Sequence, residues 1–148
     1  MQRRSVLLAL LGILITLPLQ TFAKLAGLTW RKNAFEATKI EDATQRLNIS
    51  NEIVSKDINL VAPDRAENGA IVQVEITSNI ANTELITVLV EHNPTPLIAE
   101  FSLSNGALPY VVTRIKMAES STIKVVVKAN GQYFTASKNV EVLSNGCG

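Results

Sequence analysis

From Ile53 onward the chain is cut into short β-branched runs, each closed by residues that favour turns, and no helical period survives among them. Strand-like runs cover residues 55–61, 70–78, 85–91, 97–103, 110–117, 122–129 and 133–143, the last with a bend expected at Lys138-Asn139. Between them stand Pro63-Asp64 through Asn68-Gly69, residues 79–82, Asn93-Pro94-Thr95-Pro96, Asn105-Gly106 and Asn130-Gly131, all with turn chemistry. Runs this short can bury their apolar side chains only by pairing as strands. Asn130-Gly131 is the strongest hairpin signal, because a type I′ turn needs positive φ at both central residues.

The expected fold is therefore all-β: an immunoglobulin-like antiparallel β-sandwich of seven or eight strands. Residues 71–76 alternate cleanly between apolar and polar side chains, as a strand with one wet face should. Residues 123–127 do not, since Val125, Val126 and Val127 are consecutive. That strand is covered on both faces, either by neighbours within the domain or by a partner protein.

Ahead of the strands, Trp30, Ala34 and Ala37, then Ile40, Ala43 and Leu47, fall at helical spacings. Thr38 with Glu41 reads as a capping box, which predicts a short helical N-terminal extension made of two helices with a break near Ala37. Its apolar stripe is a docking face. Further upstream, Arg3 and Arg4 precede an apolar run over residues 6–19, followed by Thr21 and Ala23. Charged, apolar and small-residue regions in that order form a cleavable export signal over residues 1–23, with a twin-arginine-like start. The run falls short of the ~20 apolar residues a membrane span requires. No membrane attachment is expected after cleavage.

The chain has 148 residues with 14 basic and 13 acidic side chains, and residues 1–23 hold two arginines and no acid, so the processed chain carries a formal charge of −1. Such a balance argues against nucleic acid as a partner. Export also gives weight to the single cysteine. Thiols in an oxidising compartment are usually paired, and Cys147 has no partner in this chain, so it is a working thiol or an intermolecular bond. It stands in the tail Ser144-Asn145-Gly146-Cys147-Gly148, where small residues on both sides predict a mobile arm, residues 144–148, beyond the domain of residues 24–143.

Other chemistry is sparse. His92 and Cys147 make no metal site by spacing, and neither a phosphate-binding glycine loop nor a hydrolase motif is present, so no cofactor, no metal and no catalytic residue is expected. His92 reads as a solvated or hydrogen-bonded side chain. Asp64 and Glu67 share a turn but read as surface acids rather than a general acid/base pair. No cation lies near Cys147 in sequence, so its thiolate must be activated by whatever receives it. The thiol then admits two readings: a carrier that is not itself an enzyme, or an exported interaction sandwich that uses Cys147 for an intermolecular disulfide.

Several segments in order resemble one family: Asn33-Ala34-Phe35-Glu36-Ala37, Ala62-Pro63-Asp64 leading to Ala66-Glu67-Asn68-Gly69-Ala70, residues 91–97 with Asn93-Pro94 and Pro96, Arg114-Ile115-Lys116-Met117-Ala118-Glu119, and the tail. The chain is similar to SoxY, the sulfur-carrier subunits of the bacterial thiosulfate-oxidising Sox system. The resemblance implies a periplasmic carrier whose arm cysteine, here Cys147, covalently holds the sulfur intermediate, with Asn145, Gly146 and Gly148 giving the arm its flexibility. It implies a heterodimer with a SoxZ-like subunit. It also implies transient encounters with a c-type cytochrome complex, a dimanganese thiosulfohydrolase and a sulfane dehydrogenase. The family arm reads Gly-Gly-Cys-Gly-Gly; Asn145 replaces its first glycine here, and the sequence stops at Gly148.

Overall fold

The computed structural model describes residues 31–104 and 106–144. Residues 1–30 (which include the expected export signal and Trp30), Asn105 and the tail residues Asn145, Gly146, Cys147 and Gly148 lie outside the described residues. The folded unit that carries the strands begins at Lys32.

Two short helices come first, α1 (Lys32–Phe35) and α2 (Ile40–Arg46). The break near Ala37 is as the sequence predicts, but the capping box is not formed. The N-cap is Lys39, in an extended conformation and with no side-chain cap, so Thr38 lies one residue too early to receive the helix's amides. The helix closes at the other end with backbone bonds from Leu47 to Ala43 and from Ile49 to Thr44, after which Asn48 takes a positive φ of 56°. Arg46 donates to the Asn33 carbonyl and ties α2 back to α1.

Nine strands come next among the described residues: β1 (Ile53–Val54), β2 (Ile58–Val61), β3 (Arg65–Ala66), β4 (Val72–Ser78), β5 (Thr83–Val90), β6 (Leu97–Ser102), β7 (Tyr110–Ile115), β8 (Ser121–Ala129) and β9 (Gln132–Val142). They form a six-stranded sheet, β1-β9-β8-β5-β6 with β3 also on β9, and a three-stranded sheet, β2-β4-β7. The predicted run over residues 55–61 is shorter than expected, since β2 begins only at Ile58 and the two-residue β1 lies before the run. The Asp57 amide donates to Ser55 Oγ at 3.1 Å, and this local turn ends β1 before β2 begins. The bend expected at Lys138-Asn139 does not interrupt β9, which stays in register there with Ile123 and Thr122 of β8. Not all pairing is antiparallel. β1 and β3 run parallel to β9, two residues each.

The β8–β9 turn is the predicted hairpin, with Asn130 at φ 51° and Gly131 at φ 74°. Alternation in β4 sends Val72, Val74 and Ile76 inward, where they meet Ile86, Val88 and Val90 of β5, Ile123, Val125 and Val127 of β8, and Val140 of β9. One core thus lies between the two sheets.

A second cluster explains the three valines. Val125 and Val127 belong to the shared core, whereas Val126 points to the other face and packs with Leu89, Leu97, Ala34, Ala37, Ala43 and Leu47. The cover over β8 is the chain's own helical extension. The valine run therefore carries no sign of a partner protein, and the apolar stripe of the helices is accounted for within the domain.

Candidate functional site

Cys147 lies three residues past Ser144, the last described residue, so the described part of the site is the place where the tail leaves the sheets. β9 delivers it there. Its final residues are held on one side by β8 and on the other by β3, through Arg65↔Glu141 and Ala66↔Val142. Backbone bonds continue this edge: Glu141 donates to the Asp64 carbonyl and Leu143 to the Ala66 carbonyl, each at 2.9 Å. Arg65 Nε reaches Glu141 Oε2 at 3.0 Å, an exposed pair worth little by itself but consistent in register.

Ser144 is fixed twice more. Its hydroxyl donates to the Glu67 carbonyl at 2.6 Å, and its own carbonyl accepts the Gly69 amide at 3.1 Å. Residues 66–69 therefore form a strap around the end of the chain's last strand. The strap is itself anchored. The Met117 amide donates to the Gly69 carbonyl at 2.8 Å, and Met117 is fully buried. Asn68 Oδ1 accepts the Ala70 amide at 2.8 Å, which closes an Asx turn at the strap's far end.

The Asn93 side chain completes the support. Its Nδ2 donates to the Lys116 carbonyl at 2.7 Å and its Oδ1 accepts the Ala118 amide at 2.8 Å, so one amide side chain holds both sides of Met117. Beside it, the His92 amide donates to Ser121 Oγ at 2.9 Å, and His92 Nδ1 lies 3.2 Å from the Ser120 carbonyl and 3.8 Å from Glu119 Oε1. Ser120 Oγ in turn accepts the Val142 amide at 2.9 Å. The base of the tail is thus held by backbone and short polar side chains on every element that meets it.

His92 is half-exposed and hydrogen-bonded, as the sequence leads one to expect. Asp64 and Glu67 do not form a pair: Asp64 meets Lys138 Nζ at 3.0 Å, and Glu67 contributes its carbonyl to the strap. Among the described residues, no group of three or more His, Cys, Asp or Glu is placed to hold a metal ion. The strap is not foreseen from the sequence, where residues 63–69 read as a turn and Ser144 as the first residue of the arm. Its bonds are mostly made by main-chain groups, which every residue has and no motif announces.

The family model for sulfur oxidation protein SoxY matches residues 44–147, well over half of the chain and through the position of the cysteine. The chain belongs to the SoxY family. Among solved structures, the sulfur carrier protein SoxY from Chlorobium limicola f thiosulfatophilum shares 32% identity over 77% of this chain and 100% of its own, with a TM-score of 0.63. Superoxide reductase (neelaredoxin) from Ignicoccus hospitalis is similar at 18% identity over 57% of this chain and 79% of its own, with a TM-score of 0.51, a likeness of fold alone. No match to a curated protein was found. As a SoxY protein the chain is a sulfur carrier of thiosulfate oxidation and not an enzyme. In SoxY terms, the strap of residues 66–69 is the mount of the carrier's tail.

Proposed function

We propose that Cys147 is the point at which the sulfur intermediate is covalently held, on an arm formed by Asn145, Gly146, Cys147 and Gly148. The observation that carries this reading is the mount: β9 ends at a strap that fixes Ser144, and the chain's single cysteine comes three residues later. The family match running to residue 147 supports it. Loading is an oxidation. A Cys147 thiol and thiosulfate become a Cys–S–S–sulfonate, releasing one proton and two electrons to an electron acceptor of the c-type cytochrome class. Hydrolysis of the terminal sulfonate consumes one water and gives sulfate and a proton, leaving a persulfide on Cys147. The carrier supplies neither base nor metal to these steps; it supplies a tether, which raises the local concentration of the intermediate at each enzyme in turn.

The same reading includes export through the signal over residues 1–23, a periplasmic location, and a heterodimer with a SoxZ-like subunit. It includes an immunoglobulin-like closure of the two sheets, supported by the core that they share. The cytochrome complex, the dimanganese thiosulfohydrolase and the sulfane dehydrogenase are its transient partners. The test is the intact mass of Cys147 peptides from cells oxidising thiosulfate. Masses raised by a bound thiosulfonate or by added sulfur atoms are expected. A cysteine found only as a disulfide to another chain would overturn the carrier role in favour of an interaction domain.

A further inference from the structure

The position of the mount limits how any enzyme can reach Cys147. Ser144 is held by Glu67 and Gly69, and Leu143 by Ala66, so Cys147 can reach no further from the mount than the three residues after Ser144 allow. Three residues from Ser144 to Cys147 span at most roughly 10–11 Å even when fully extended, at about 3.3–3.6 Å each. A cleft that accepts the thiol must therefore open within that distance of Ser144. The protein surface around such a cleft then has to lie against the surface around the mount.

That surface is not neutral ground. Leu143, next to Ser144, is 55% exposed, and Ile71, whose amide donates to the Asn68 carbonyl at the end of the strap, is 64% exposed. Both stand beside the mount, because Gly69 binds Ser144 next to Leu143 and Asn68 binds Ile71. Lys116, exposed beside the buried Met117 that anchors the strap, makes no ion pair among the described residues. We infer that Ile71, Leu143 and Lys116 form the docking rim on which the enzymes that take Cys147 into a cleft seat themselves, through an apolar collar with an acidic group opposite Lys116. The occupant is an arm-receiving enzyme, because only a partner that swallows the tail is forced to this place by the tail's length. This inference rests on the carrier role of Cys147.

The experiment uses the full processed chain, with its SoxZ-like partner, as substrate for a Sox thiosulfohydrolase after loading with thiosulfate. Ile71→Lys with Leu143→Lys should raise the KM for the carrier roughly tenfold or more and change kcat little, as loss of a central apolar contact does. Lys116→Glu should raise KM as well, and more so at low salt. Alkylation of Cys147 by iodoacetamide should keep its wild-type rate in all of these variants, since a small reagent needs no rim. Lys56→Glu, on the loop beside Asp57, whose carbonyl binds Asn79 at the other end of β4, is the charge control and should leave KM unchanged. Unchanged KM in the apolar double variant overturns the rim. So does loss of the heterodimer in light scattering, which would assign the patch to the partner subunit. Failure of the wild-type carrier to be turned over at all would instead count against Cys147 as the attachment point.

Discussion

At the scale of single residues, the carrier separates chemistry from support. Cys147 comes three residues after Ser144, on the proposed arm, so Cys147→Ser should alter the unfolding free energy by no more than about ±0.5 kcal/mol, as remote surface changes do. The same change should abolish loading, because a hydroxyl cannot form the bond to the sulfane sulfur of thiosulfate. Urea denaturation and intact mass measure the two halves of that prediction; an adduct on the serine variant would sink it. Asn93 is the counterpart on the support side. It holds the Lys116 carbonyl and the Ala118 amide at once, so Asn93→Ala removes two hydrogen bonds beside a buried methionine. A cost of about 1–3 kcal/mol is expected from that loss, read from the denaturation midpoint. Asn93→Asp should recover part of it, since the carboxylate still accepts from Ala118 but cannot donate to Lys116.

At the scale of elements, what was legible in the sequence was whatever periodicity and turn chemistry encode. The alternation of β4, the Asn130-Gly131 hairpin and the two short helices are all where the residues put them. Elements two residues long, β1 and β3, were not legible, because they have no period and exist only as parallel additions to β9. The capping box is not formed although Thr38 and Glu41 have the right spacing, because the helix begins at Ile40 and Lys39, one residue after Thr38, is its N-cap. The valine run of β8 shows how one pattern admits two causes until contacts are known. Val126 is covered by Leu47 and the small residues Ala34, Ala37 and Ala43, so the helical extension is part of the fold rather than an appendage. Leu47→Ala should therefore cost about 2–5 kcal/mol, the range for a large side chain removed from a packed site. Leu47→Asp should go further and bare Leu89, Leu97 and Val126, giving concentration-dependent self-association in light scattering where the wild type shows none from this face. At the hairpin, Gly131→Ala forces a Cβ into a φ of 74°, where nothing lies within 4 Å to clash and only backbone strain opposes it. Its cost should be about 1–2 kcal/mol.

At the scale of the whole molecule, the proposed role has the carrier travel loaded and unloaded among several enzymes without changing what it is. Among the described strands, β8 and β5 lie inside the larger sheet and β4 inside the smaller, each bonded to a neighbour on both sides, whereas β1 and β3 add only two residue pairs each at β9. Opening free energies should vary in that order, with hydrogen exchange slowest in β8 and fastest in β1 and β3. The cargo should have no influence on it. A covalent group that makes the same contacts in the folded and unfolded chain cannot shift the unfolding equilibrium, because only differential interaction is coupled to folding. Among the described residues the bonds that fix the tail reach Ser144, on the folded side of the mount, and the proposed attachment point, Cys147, comes three residues further on. Thiosulfate-loaded and unloaded carrier should accordingly unfold at the same denaturant concentration and exchange the β8 amides at the same rate. A load that stabilised the chain by more than about 0.5 kcal/mol, beyond what remote surface changes produce, would mean that the sulfur group is held by the sheets between deliveries. The carrier would then release its cargo to an enzyme by competition rather than by simple presentation.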